Sequence, residues 1–373
     1  MTDQTESDRQ RHQLADAFDQ PIDPLADAQS VFNALDVDPF ELFLTDVLDA
    51  RDLAPSTRRH FEMIIDEWEG FMTKRGRHPA CPNAEHVEAY IDWQLDDEAD
   101  GGKGNVPRTA KEKLRKLNQI YTFWQRDPAF PHPTDYNPIA LARERVPLTV
   151  QKQKEHRRIA VDELREMIAS VTDLRARVII LLQLKLGLRA GELANITLED
   201  VRMDDVDVAQ YYSELGTHPR LEEYENAVYI PPGQEREGNK SRRPRVLPLD
   251  TDLREVLDRY LFCRPDNGEP WLVLSKKSHT KTGTKGINNV WKDAFHPEYA
   301  ETDDHRAVTS HFGRHRFTTY WRVEQDVNRQ LVKYMRGDRT GAYCGDRGMN
   351  AYLHAYYEDI EPVYRAQMYS LCE

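Results

Sequence analysis

The sequence predicts a mainly α-helical protein with one small antiparallel β-sheet, an α+β class divided into two domains. Three observations carry that prediction. The chain has 373 residues, more than one ordinary core accommodates. Much of it repeats apolar residues at three- and four-residue intervals, the period of a helix with one buried face. The stretch from Ala227 to Leu249 departs from that period: AVYIP and PRVLPL flank the polar segment QEREGNKSR, the pattern of a β-hairpin with a charged tip.

Each element follows in order. Residues 1–37 mix Asp, Gln and Ser with brief apolar touches, too few to offset the entropy of ordering a backbone, so an acidic flexible tail is expected. Residues 38–142 read as a helical domain. A helical pattern begins at Phe40, Ala54-Pro55-Ser56 interrupts it, and Ser56 is positioned to cap a helix whose Phe61, Ile64, Ile65, Trp68, Phe71 and Met72 share one face. Asn83 can cap a third helix carrying Val87, Tyr90, Ile91 and Leu95. After the Gly101-Gly102 loop a fourth carries Leu114, Leu117, Ile120, Tyr121 and Trp124. These four make a small bundle that Asn137-Pro138 ends, and residues 143–158 form a basic, Pro-containing linker. The second domain, residues 159–373, opens with Asp162 as a helix cap. A nearly all-apolar helix around Val178 to Leu186 follows and is expected to be buried all round, then the hairpin, then a helical remainder.

Composition narrows the function. The longest apolar run, Val178 to Leu182, is far short of the roughly 20 residues that span a bilayer, and the acidic N-terminus has no secretory core. Cys81, Cys263, Cys344 and Cys372 are scattered without a CxxC pair, so no disulfide framework or thiolate zinc site is read, and the cytoplasm is the expected location. The net charge of -13 argues at first against a nucleic-acid partner. Its distribution reverses that argument, because residues 1–50 hold 12 Asp or Glu against only Arg9 and Arg11. The rest of the chain is nearly balanced. The excess of Asp, Glu and Arg over Lys is that of a protein solvated for high salt.

Two basic segments stand out. Arg108, Lys111, Lys113, Arg115 and Lys116 cluster at the start of the fourth helix. Arg143, Arg145, Lys152, Lys154, Arg157 and Arg158 outnumber Glu144 and Glu155 in the linker. Either alone is as readily a solvated surface, but together they flank a domain boundary as a protein closing around a polyanion requires. The chemistry lies in the second domain. In LKLGLRAGELANITLEDV, Gly187 closes the buried helix and Arg189 precedes Glu192 by three residues, a spacing that by itself favours a structural ion pair. In TSHFGRHRFTTYW, His311 and Arg314 share a helical face, while His315 and Arg316 are expected to point elsewhere. Neighbouring guanidiniums argue against zinc, so no metal is expected.

Taken together these stretches resemble the tyrosine recombinase family, the phage-integrase type of DNA strand exchangers. The likeness spans about residue 40 to the end. It comprises an LAPST start and an NP exit of a helical core-binding domain, the Arg box GLRAGEL, a hairpin ending in VLPL, the H-x-x-R box HFGR and a late Tyr. The composition is similar to integrases of halophilic archaea and their mobile elements. The resemblance implies that Arg189 and Arg314 grip the scissile phosphate, that Lys240 at the hairpin tip is the general acid, and that His311 assists proton transfer. Glu192 would brace the site, with His315 a weaker candidate. Tyr352, in Tyr-Leu-His, is implied as the nucleophile, with Tyr356 as runner-up. Asp338, in Met335-Arg336-Gly337-Asp338, stands where the family carries an imidazole or indole. The implied partner is double-stranded DNA, bound by a homotetramer on paired sites with accessory DNA-bending proteins. No cofactor is implied, and the location becomes the nucleoid. A binding protein that keeps the fold without catalysis is the alternative.

Overall fold

Apolar helix faces need partners, and in this protein they find them in two separate units, Met1–Gln153 and Lys154–Glu373. The structure, a computed structural model, describes residues 2–51, 55–149, 154–204, 207–241, 243–338 and 356–372. Among these, no helix is long and apolar enough to cross a membrane.

The first unit contains α1 (Thr2–Ala17), α2 (Ala28–Ala34), α3 (Pro39–Phe43), α4 (Pro55–Thr73), α5 (Ala84–Leu95), α6 (Pro107–Arg126) and α7 (Pro138–Arg145). Phe61, Ile64, Ile65, Trp68, Phe71 and Met72 of α4 are all buried, packed with Tyr90 and Ile91 of α5 and Leu114, Tyr121 and Trp124 of α6. Asn83 caps α5 by accepting a hydrogen bond from the His86 N–H at 3.0 Å. Two boundaries differ from the sequence reading. Residues 1–37 are not featureless: they form α1 and α2, and Leu25 is fully buried in the bundle core with Phe32 packed against it. One leucine and one phenylalanine anchor a segment whose average composition predicts a tail. Asn137 does not end the bundle either. Its Oδ1 accepts from the N–H groups of Ile139 and Ala140 at 3.1 and 2.9 Å, so it starts α7, which buries Ile139 and Ala142 in the same core.

The second unit contains α8 (Val161–Ser170), α9 (Leu174–Leu186), α10 (Ala190–Ala194), β1 (Val201–Arg202), β2 (Ala227–Ile230), β3 (Arg245–Pro248), α11 (Thr251–Cys263), α12 (Thr284–Phe295), α13 (Ser310–Thr319), α14 (Arg329–Arg336) and α15 (Tyr357–Gln367). The sheet is antiparallel in the order β1-β2-β3, with Val201 opposite Val228 and Val228 opposite Leu247. The mainly α class with a small sheet is therefore the observed one. Strand β1, two residues long, has no legible pattern in the sequence. From Val178 to Leu186, helix α9 is buried all round, its lysine included: Lys185 lies against Asp250, 2.7 Å from Asp252 and 3.0 Å from the Tyr369 carbonyl.

Two glycines set how closely α13 approaches α9. A Cβ at Gly313 would lie 2.9 Å from Gln183 Cβ and 3.0 Å from Trp291 Cζ2. Gly187 ends α9 at φ +63°, and a Cβ there would sit 2.6 Å from the Phe317 ring. We expect Gly187→Ala to lower the stability of this unit by about 1–3 kcal/mol, through left-handed strain and the displaced ring. Denaturant unfolding followed by tryptophan fluorescence checks this.

Candidate active site

The close α9–α13 crossing delivers Arg314 to the end of α9. Its side chain is buried, and Nη1 donates to the Gly187 carbonyl at 2.7 Å. Nη2 donates to the Arg336 carbonyl at 2.9 Å and to Oδ1 of Asp338 at 2.8 Å. Arg189, two residues beyond Gly187, reaches the same carboxylate: its Nη2 lies 3.0 Å from Asp338 Oδ1. The fold thus brings together Arg189, Arg314 and Asp338 from three separate boxes.

Glu192 fixes the other edge of Arg189. Its carboxylate accepts from the Arg189 backbone N–H at 2.9 Å, from Arg189 Nη1 at 3.0 Å and from Arg245 Nη2 at 3.0 Å. Burial alone would raise the Glu192 carboxyl, but Arg245 and the Arg189 N–H and guanidinium outweigh it and hold it below the usual range. Arg245 is buried on β3 and also donates to the Met335 carbonyl at 3.0 Å. Arg336 places Nε 3.0 Å from Asp338 Oδ2. Neither Arg245 nor Arg336 was marked in the sequence reading. For Arg245 a signal existed: an arginine inside the apolar run PRVLPL belongs on a strand only with a buried counter-ion. Burial, with repulsion from Arg189 and Arg336, lowers the Arg314 pKa to about 9. The potential that opposes its proton is the one an entering oxyanion would meet.

Lys240 is exposed at the hairpin tip, between two anchored neighbours. Asn239 on one side accepts from Asn195 Nδ2 at 2.8 Å, and Ser241 on the other donates to the Gly337 carbonyl at 3.2 Å. One anchor is near Glu192 in sequence and the other adjoins Asp338. The ammonium has no hydrogen-bond or ion-pair partner among the described residues.

The histidines correct the sequence reading. His315 does not turn away from His311: their ring centroids are 4.5 Å apart, and His156, from the segment before α8, lies 4.0 Å from His315. His311 and His315 are one helical turn apart, so they share a face. Arg316 does turn inward, paired with Glu324 at 2.7 Å. The His311 pKa is lowered by burial and then by Arg314, His156, Arg189 and Arg336. His315 is lowered to about 4 by burial, His156, His311, Arg336 and Arg306.

Tyr352 lies outside the described residues, as does Lys152. Tyr356 is exposed and precedes α15, its backbone N–H donating to Asp359 at 3.0 Å. It shares a cavity with Tyr334, Arg243, Arg245 and Asp338. Tyr357 and Tyr364 are buried, the latter donating to the Lys185 carbonyl at 3.1 Å.

The basic clusters divide. In α6, Arg108 and Lys111 are exposed, and Arg115 is exposed but paired with Glu112 at 2.7 Å. Lys113 and Lys116 are not surface cations for a polyanion. Lys113 holds Glu67 at 2.7 Å within a network that includes Tyr90 and Gln94, and buried Lys116 lies 3.8 Å above the Phe61 ring. Both sit on the face that packs against α4. Beyond the first unit, Lys154 pairs with Glu301 at 2.7 Å, Arg157 donates to the Ala300 carbonyl at 3.0 Å, and Arg158 is exposed.

A mainly helical chain with one small antiparallel sheet, whose second unit gathers arginines around a single carboxylate, is of the α+β class. Residues 157–340 match the model of the phage integrase family. Tyrosine recombinase XerA of Pyrococcus horikoshii is 27% identical over 176 residues, 47% of this chain and 50% of the relative. The chain therefore spans about half the length of the curated relative it matches. The Tn1549 transposon integrase, solved with transposon right end DNA, is similar with a TM-score of 0.53 and 14% identity, over 88% of this chain and 98% of that one. A lambda integrase tetramer bound to a Holliday junction gives 0.51 and 14%, over 81% and 77%. At these identities the likeness is one of fold.

The imidazole cluster carries a pH signature. A histidine held below its ordinary 6.5 contributes stability that is fully present above that value and is lost as pH falls toward about 4. We expect His315→Gln to flatten the loss of stability across that window relative to the parent protein. Unfolding midpoints at about pH 7 and about pH 4.5 measure the difference.

Proposed function

We propose that the protein is a site-specific DNA recombinase that cuts and rejoins strands through a 3′-phosphotyrosine link. One observation carries this reading: guanidiniums from two distant boxes, Arg189 and Arg314, aim Nη2 at a single carboxylate oxygen, 3.0 and 2.8 Å away. Such a pair suits the non-bridging oxygens of one phosphodiester, because planar guanidinium forks bind oxyanions and keep their charge. Tyr352 attacks phosphorus, the bond to the 5′-oxygen breaks, and Lys240 protonates the departing oxygen. The free 5′-hydroxyl of a second strand then attacks the phosphotyrosine and returns the phenol. His311 holds a phosphate oxygen or passes a proton, and Glu192 keeps Arg189 aimed. The arginines supply the positive charge that a metal would otherwise bring. Exposed Arg108, Lys111 and Arg158 serve the duplex, which a homotetramer on paired sites would hold, assisted by DNA-bending proteins.

A fold kept for binding alone is the second reading, and Asp338 favours it, since its negative charge sits at the oxyanion seat. A pool of nicked random-sequence duplexes separates the two. We expect a covalent adduct that survives denaturation and EDTA, disappears in Tyr352→Phe and persists in Tyr356→Phe. Arg189→Lys or Arg314→Lys should slow its formation by roughly 10²–10³-fold, as loss of an oxyanion donor does elsewhere. No adduct from any duplex would leave binding alone.

The Asp-, Glu- and Arg-rich composition supports a host cytoplasm of high salt, as in the halophilic integrases it resembles. Near molar salt the Debye length is about 3 Å, and counterion release contributes little. Binding to the captured duplex should then fall only shallowly between moderate and near-molar salt in a filter-binding titration. A steep fall would mark an ordinary electrostatic binder.

A further inference from the structure

Asp338 is more than a substitute for an absent ring. Its Oδ1 lies 3.0 Å from Arg189 Nη2 and 2.8 Å from Arg314 Nη2, and its Oδ2 lies 3.0 Å from Arg336 Nε. An anionic oxygen held by two converging guanidiniums is the arrangement a phosphodiester oxygen would adopt there. We propose that the Asp338 carboxylate is an internal stand-in for the scissile phosphate and must leave Arg189 and Arg314 before a DNA phosphate can seat; this rests on reading that pair as the phosphate clamp.

Three features make Asp338 the displaceable member of the site. The first is the contrast with Glu192, the other carboxylate on Arg189. The Glu192 side chain is 0% exposed and also bound to Arg245 and a backbone N–H, whereas Asp338 is 27% exposed. Glu192 is a fixed brace, and the Asp338 side is the open one. The second is the Asp338 backbone. Gly337 ends α14 at φ +64°, the Asp338 N–H donates to the Lys333 carbonyl at 2.9 Å, and a Cβ at Gly337 would collide with Arg245. Rotation of the Asp338 side chain therefore empties the seat without moving the chain. The third is that Arg314 keeps its bonds to the Gly187 and Arg336 carbonyls when the carboxylate leaves. The guanidinium remains aimed.

The two occupants exclude one another. A second oxyanion cannot share those donors at the same distance, and two like charges so close repel strongly. Asp338 therefore raises the threshold for occupancy. A lone phosphate or a poorly fitting duplex competes against a carboxylate already in place, whereas a cognate duplex brings the remaining contacts that drive the exchange. This makes Asp338 a specificity-determining residue.

The full chain tests this with inorganic phosphate as the probe, titrated calorimetrically at constant ionic strength. Asp338→Asn and Asp338→Ala should bind phosphate at least about tenfold more tightly than the parent, while Asp338→Glu, which keeps the charge, should gain nothing. The gain should vanish when Arg189→Ala is added to Asp338→Asn. Equal or weaker phosphate binding in both neutral variants, each shown to be folded by its melting transition, would overturn the proposal and make Asp338 a brace. The recombinase reading is judged separately, by adduct formation in the parent protein. Adduct without a gain in the neutral variants rejects this inference alone, and a gain without adduct rejects strand cleavage alone.

Discussion

The site depends on one costly placement, the burial of the Arg314 guanidinium at the end of α9. An unpaired buried cation would be untenable, and the fold answers with acceptors that the chain must supply at fixed points. The Gly187 carbonyl is available because α9 ends in a left-handed turn there, and the Arg336 carbonyl because α14 ends one residue before Gly337. Both acceptors are helix-end carbonyls without helical partners of their own, so the same bonds that satisfy the arginine also satisfy two helix termini. Close packing of α13 on α9 follows, and with it the need for Gly313. Position, charge and packing at this site are thus a single constraint.

Much of this was legible in the sequence, for definite reasons. Long apolar faces such as Phe61 to Met72 have one consistent partner, a core, so periodicity alone locates α4. The hairpin was legible because two β-type runs flank a polar tip. Short elements resisted. Strand β1 has two residues, and α2 rests on Leu25 and Phe32 within an otherwise polar stretch, where average composition outweighs two anchors. At the site, the two arginines came from box order and not from any local pattern. Arg245 left a signal, a charge inside the run PRVLPL, but the run does not say that Glu192 is its partner. His315 was misjudged although its four-residue spacing from His311 puts both on one helical face; only its contact with His156 depends on tertiary structure.

The basic segments show why charge counts alone do not define a nucleic-acid surface. Five cations at the start of α6 look equivalent in sequence, yet a helix turns them to different faces. Lys113 and Lys116 point toward α4, where Glu67 neutralises one and the Phe61 ring receives the other. Their stems cover apolar surface while their charges find local partners, which is how lysine is accommodated inside a bundle. Arg108 and Lys111 remain at the solvent, at the first turns of the helix. The electrostatic footprint available to a polyanion is therefore smaller than the sequence suggests, and more weight falls on close contacts at the arginine seat.

The described part of the C-terminal segment is tied down against the elements that carry the arginines. Tyr364 and Tyr369 each donate to a carbonyl near the end of α9, Lys185 and Leu184, both at 3.1 Å. Tyr357 packs with Val246 of β3 and Tyr229 of β2. Strand β3 also carries Arg245, whose bond to Met335 holds the end of α14 three residues before Asp338. The described residues before and after the Tyr352 segment are therefore tied to the same strand. Strand β3 thereby joins the start of α15 to the end of α14, and it is also the strand whose arginine braces Glu192. Positions far apart in the sequence are thus coupled through one short strand, and a change on β3 reaches the arginine cluster and the C-terminal helix together.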